Sequence, residues 1–188
     1  MRVIAGSARG KRLAVPRGIK TRPTADRVKE ALFNILGCRC FFEGARILDI
    51  CAGTGSLGIE ALSRGAAFGC FIEHDRSAMA VLEKNLQTSD CAARSECVML
   101  DAVQGLKLLA RQGKIFDIVF FDPPYTSNLY STVSGILGSL SLMSDTALLA
   151  VECSSRITLS DHFGNLIKFD RRVYGDSSLE FFAGDHTP

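Results

Sequence analysis

The sequence predicts an α/β protein with a mainly parallel, doubly wound sheet of seven strands, an antiparallel hairpin at its C-terminal edge and a basic extension at its N-terminus. Three observations carry this expectation. From Ala45 onward, short apolar runs alternate with stretches of helical spacing, which implies right-handed βαβ crossovers. The first of these runs leads into a glycine-rich turn, Gly53 to Gly58. The last two apolar runs, "LIKFDRRVYG" and "LEFFAG", have only Gly175–Ser178 between them, too short for a crossover helix.

In chain order, Arg2–Ala5 and Lys11–Val15 alternate apolar and polar residues on either side of a turn containing Gly6 and Gly10, so they read as a short ribbon. After Pro23, residues Val28, Ala31, Leu32, Ile35 and Leu36 fall on one helical face, predicting a helix over Thr24–Leu36 that Gly37 stops. Ribbon and helix form an extension over residues 1–40, ahead of a ligand-binding domain over 41–188. The ribbon lies outside the alternating pattern and is expected to be dispensable for folding. The core strands are expected at Arg46–Ile50, Phe68–Glu73, Glu96–Leu100, Phe116–Phe121 and Ala147–Glu152. Helices are expected between them near Leu57–Arg64, Arg76–Gln87, Val103–Arg111 and Tyr130–Leu140.

A chain of 188 residues with 47% hydrophobic and 22% charged residues has the balance of a soluble globular protein able to bury a full core. It contains no apolar run near the ~18 residues that span a bilayer. The seven cysteines are odd in number and scattered, which reads as reduced thiols in a cytoplasmic protein with no metal site. Net charge is only +2, but residues 1–40 hold ten Lys or Arg against Asp26 and Glu30. That asymmetry points to a polyanionic partner at the N-terminal end. The strand-like ribbon distinguishes this segment from an amphipathic targeting helix.

Gly53-Thr54-Gly55-Ser56-Leu57-Gly58 matches the G-x-G-x-x-G phosphate-binding pattern. A doubly wound sheet binds its ligand beyond the carboxyl ends of its strands, and each of the first four strands delivers an acid there or next to it: Asp49, Glu73, Asp101 and Asp122. Any one of them could simply cap the following helix. Four around one crevice make a poor cradle for a pyrophosphate, but they suit an adenosine joined to a cationic amino acid. In that arrangement Asp49 serves an ammonium, Glu73 the ribose hydroxyls and Asp101 an adenine amine, and the ligand expected is S-adenosylmethionine.

Asp122-Pro123-Pro124-Tyr125 leaves the fourth strand with an acid, two prolines that fix a stiff turn, and an aromatic ring. A rigid strand-to-loop turn would explain the prolines alone. The acid and ring suit a planar exocyclic amine, held by Asp122 and a proline carbonyl while its base stacks on Tyr125. Acceptors on both amine hydrogens favour a tetrahedral, nucleophilic nitrogen. Such an amine is reachable only in an unpaired or flipped-out base.

"MRVIAG", "TRPTADRVKEALFNIL", "DICAGTGSLGIEALSRGA", "IEHD", "FDPPY" and "YGDSSLEFF" occur in an order that resembles the RsmD family, bacterial 16S ribosomal RNA guanine-N2 methyltransferases, from Met1 to about Phe182. Cys51 departs from that family, whose members more often carry phenylalanine there. The resemblance implies a Rossmann-like class I methyltransferase fold. It also implies an S-adenosylmethionine site of Asp49, Ala52, Gly53, Thr54, Gly55, Glu73, His74, Asp101, Ala102 and Asp122. Asp122, Pro123, Pro124 and Tyr125 would hold the target guanine, and Arg9, Lys11, Arg12 and Arg22 would contact RNA. The implied partner is 16S ribosomal RNA or the small subunit, approached by a monomer. Two alternatives stand beside this reading: an adenine-N6 methyltransferase of DNA or RNA, and a non-catalytic RNA-binding assembly factor. An NAD-dependent oxidoreductase would leave Asp122-Pro123-Pro124-Tyr125 and the basic extension unexplained.

Overall fold

The computed structural model describes residues 1–15, 23–124 and 129–185. Helix α1, Pro23–Gly37, buries Val28, Leu32 and Leu36 of the predicted face, leaves Ala31 and Ile35 half-buried, and buries Phe33 as well. Strand β1, Arg46–Ile50, runs into α2, Ser56–Ser63, through the glycine turn. Then follow β2 (Phe68–Ile72), α3 (Arg76–Thr88), β3 (Ser95–Val98), α4 (Ala102–Arg111), β4 (Phe116–Phe121) and α5 (Leu129–Leu137). The chain ends with β5 (Met143–Ser154), β6 (His162–Phe163), β7 (Leu166–Tyr174) and β8 (Ser177–Gly184).

The described strands form one sheet of order β3-β2-β1-β4-β5-β8-β7-β6. The first five are parallel, and β8 enters antiparallel between β5 and β7. The sheet therefore has eight strands and not seven, because the two-residue β6 adds to the edge beyond the hairpin. Alternation along the strands feeds two cores. Ile47, Ile118 and Phe120 face α1, α2 and α3, whereas Leu48, Val119 and Phe121 face α4 and α5. No described helix is long and apolar enough to cross a membrane.

The N-terminal ribbon is narrower than expected and far more deeply attached. Its two arms share a single antiparallel bridge, Arg2 to Arg12. The backbone N–H groups of Ile4 and Ala5 donate instead to the two carboxylate oxygens of Glu60 on α2, at 2.7 and 3.0 Å. Ser7 N donates to Ser63 O at 2.8 Å and Ala8 N to Ser63 Oγ at 2.9 Å. Ala14 exchanges both backbone bonds with the Asn85 carboxamide of α3, at 2.7 and 3.0 Å. Val3, Ala8 and Leu13 are buried in the same core as α1 and α2. These contacts argue against the expectation of an arm dispensable for folding.

Candidate active site

The glycine turn is built around two carboxylates. Asp49, at 2% exposure, accepts the Gly58 N–H on Oδ2 at 2.9 Å. That N–H lies in the first turn of α2, where helix donors have no partner of their own, so Asp49 takes a bond that a phosphate would otherwise use. A Cβ at position 58 would sit 2.3 Å from Phe71 Cε1 and 3.1 Å from Asp49 Oδ2. The third glycine of the pattern therefore admits an acid and a ring, not a pyrophosphate. Burial, and then the charge of Glu73, push the Asp49 carboxyl up to about 7 against the pull of the Gly58 bond.

Glu73, just past β2, accepts from Gly53 N and Asp75 N, each at 2.8 Å, and so ties the glycine turn to the start of α3. His74 lies exposed beside it, with Nδ1 3.3 Å from Glu73 Oε1. Cys51 and Gly53 hold left-handed backbone, with φ of 61° and 55°. For a non-glycine residue such as Cys51 that conformation is uncommon. Burial first, then the charges of Glu73, Asp49 and Asp122, raise the Cys51 thiol to about 12, which keeps it protonated and unreactive. Gly55, at φ 74°, turns the chain into α2 with Leu82 close behind it. Asp101 caps α4 by accepting from Gln104 N at 3.0 Å, so the capping role applies to this acid. It still lines the crevice with Ala102.

These groups converge on one cavity of about 910 Å³ at the carboxyl ends of the parallel strands. Its lining brings together Asp49, Ala52, Gly53, Thr54, Glu73, His74, Asp101, Ala102, Asp122, Pro123 and Pro124, all singled out from the sequence. Tyr125 lies outside the described residues. Asp122 keeps an exposed surface, yet desolvation on its protein side, followed by Glu152 and Asp49, holds its carboxyl well above the usual carboxylate range. The described lining includes no lysine or arginine side chain.

Sequence reasoning missed Glu152, in β5 one residue past its last pair with β4, along with Met1, Ser56, Asp75 and Ser77 in the same lining. The signal for Glu152 was present, since the fifth apolar run, Ala147–Glu152, also ends in an acid. Of the residues expected to contact RNA, Arg9 and Arg12 are exposed on the ribbon. Lys11 is paired with Asp90 of the α3–β3 connection. Arg22 lies outside the described residues. Arg9, Lys11 and Arg12 do not line the crevice, although Met1 of the same ribbon reaches its rim.

Residues 1–183 match the family described as "Conserved hypothetical protein 95". The small-subunit ribosomal RNA methyltransferase D of Escherichia coli K12 is 41% identical over 152 residues, covering 81% of this chain and 74% of that one. The chain belongs to the RsmD family. Another relative, from Bacillus subtilis and provisionally named the rRNA methyltransferase YlbH, is 34% identical over 182 residues, with 97% and 98% of the two chains covered. The solved structure of yhhF from Escherichia coli, provisionally a methyltransferase, superposes with a TM-score of 0.82 at 36% identity, covering 98% and 97% of the chains. The RsmD-family chain thus shares its Rossmann-like architecture with relatives over nearly its whole length.

Proposed function

We propose that this RsmD-family chain transfers a methyl group from S-adenosylmethionine to the exocyclic N2 amine of a guanine in small-subunit ribosomal RNA. One observation carries the reading: an acid-lined cavity, whose described lining holds no lysine or arginine, joins the glycine turn to Asp122-Pro123-Pro124. Buried carboxylates of this kind favour a cationic ligand over an anionic one. S-adenosylmethionine fits, because Asp49 and the neighbouring acids would hold its ammonium and sulfonium. When bound, it supplies an electrophilic methyl on a positively charged sulfur.

The chain's own residues do the rest. Asp49, already oriented by Gly58, faces the ammonium; Glu73 retains unused lone pairs for ribose hydroxyls; Asp101 offers its second oxygen to the adenine amine. Asp122 and a proline carbonyl accept the hydrogens of the target amine, hold its lone pair toward the methyl and stabilise positive charge growing on the nitrogen. Tyr125 stacks on the base. Arg9 and Arg12 track phosphates from the ribbon, and the enzyme works in the cytoplasm as a monomer.

The test uses tritiated S-adenosylmethionine with small subunits and total RNA from cells lacking the protein, followed by nucleoside analysis. Label in N2-methylguanine of small-subunit RNA is expected. Label in N6-methyladenine would transfer the reading to an adenine enzyme, and no label in any RNA would reduce the chain to a binding protein.

A further inference from the structure

The acid that sequence reasoning missed has a place in base selection. In the parallel β4–β5 ladder Phe121 pairs with Val151, so Asp122 and Glu152 stand side by side one residue beyond the last β4–β5 pair, Asp122 leaving the sheet and Glu152 still paired with Leu179 of β8. Both line the cavity described above. The two residues after Asp122 are prolines, which have no N–H to donate. Among the described residues of the lining, the only side-chain nitrogen belongs to His74. His74 follows β2, which β1 separates from β4. Among the described residues, the β4–β5 end of the cavity therefore presents carboxylates and no side-chain nitrogen.

Bases bearing an exocyclic amine differ in what stands next to that amine. Guanine places the N1–H donor beside its N2 amine. Adenine places the N1 lone pair beside its N6 amine, and cytosine the N3 lone pair beside its N4 amine. Two adjacent carboxylates can satisfy a donor–donor edge, whereas against a donor–acceptor edge they set a lone pair facing a negative charge. A site built to hydrogen-bond a group strongly rejects the analogue that lacks it.

We propose that Glu152 accepts the N1–H of the target guanine while Asp122 holds its N2 amine, so that this carboxylate pair selects guanine over adenine. The inference rests on the reading that the base enters at the end of β4. The raised carboxyl of Asp122, for which Glu152 is the leading like charge, fits two acids set close together at this end of the cavity.

The test compares the full-length wild-type protein with Glu152→Gln and Glu152→Ala. The acceptor nucleotide is first mapped with wild-type enzyme, and small-subunit RNA is then prepared with that position as guanine or as 2-aminopurine, which keeps the amine but carries a lone pair at N1. Wild type should methylate the 2-aminopurine substrate roughly 10- to 100-fold less efficiently, the scale of one well-made base contact. Glu152→Ala should lose a similar factor on guanine while binding S-adenosylhomocysteine within about threefold of wild type, consistent with a base contact. Glu152→Gln can turn its amide N–H₂ toward a lone pair, so its preference should shift toward 2-aminopurine. Equal wild-type rates on the two substrates would overturn the proposal even if neither variant folds, as would an unchanged guanine rate in a folded Glu152→Ala. If the mapped nucleotide is an adenine, the guanine reading itself falls, a separate outcome.

Discussion

Asp49 is one of the residues for which the sequence identified the position but not the chemistry. Its place near the carboxyl end of a buried strand was legible, because strand-end acids recur with the βα period. Its bond to Gly58 was not, since the glycine pattern is identical whether a phosphate or a carboxylate meets the third glycine. The consequence is a pH dependence with a definite sign. A carboxyl near 7 in the fold and near 3.8 when unfolded binds its proton more tightly in the fold. Its contribution to stability is therefore complete below pH ~4 and is lost as pH rises through about 7. Asp49→Asn keeps an acceptor for Gly58 and removes the charge, so it should be more stable than wild type at pH 8, by an amount on the order of 1–4 kcal/mol. It should also bind S-adenosylmethionine less well. Urea titrations at pH 5 and pH 8, paired with calorimetry, test both halves; equal stability differences at the two pH values would discard the account. Asp122→Ala belongs to the same scale. It should lower methyl transfer by roughly 10²–10³, as removal of a group aimed at developing charge does. Its exposed surface predicts an unimpaired fold and retained S-adenosylhomocysteine binding. Full turnover in that variant would remove Asp122 from the chemistry.

At the scale of elements, helices and parallel strands were legible to within a few residues because their apolar periods are long and regular. What escaped was anything fixed by a partner distant in sequence. Strand β5 begins at Met143, four residues earlier than its apolar run, because Met143 pairs with Phe116 across an irregularity in β4. Helix α2 hides a second such feature. Glu60 is fully buried, yet it sits where a helical pattern would merely tolerate an acid. It accepts two ribbon N–H groups and Arg64 Nε at 2.9 Å, and lies 3.5 Å from the buried ammonium of Lys29. Burial outweighs this pairing and lowers the Lys29 ammonium below its ordinary value. Glu60→Gln would leave that ammonium without its counter-charge and turn one acceptor into a donor facing a backbone N–H. A loss of about 3–5 kcal/mol is expected, the range for breaking one side of a buried pair. Chemical denaturation measures it directly, and a loss under ~1 kcal/mol would show Glu60 to be incidental, as exposed ion pairs commonly are.

At the scale of the whole molecule, the N-terminal ribbon decides how RNA binding and folding are connected. Its charge was legible from composition, but its attachment was not, since the bonds run from Ile4 and Ala5 to Glu60 and from Ala14 to Asn85 through side chains of other elements. Deleting residues 1–15 would uncover the pockets of Val3 and Leu13, each buried side chain worth about 1.5–3 kcal/mol. It would also leave Glu60 without its backbone donors. Such a truncated chain should melt early or fail to fold, so its loss of RNA binding would say nothing about phosphate contacts. The separation is available at Arg9 and Arg12, which are exposed, whereas Lys11 is engaged by Asp90. Arg9→Ala combined with Arg12→Ala should leave thermal stability and S-adenosylhomocysteine binding close to wild type. If both arginines neutralise phosphates of single-stranded RNA, the plot of log binding constant against log salt should flatten by about 1.4, from about 0.7 for each contact. Affinity should fall most at low salt, where counterion release is worth most. An unchanged slope in the folded double variant would make the ribbon a brace that holds Met1 at the crevice rim. Phosphate contacts would then lie elsewhere, with the exposed Arg156 beyond β5 as the next position to substitute.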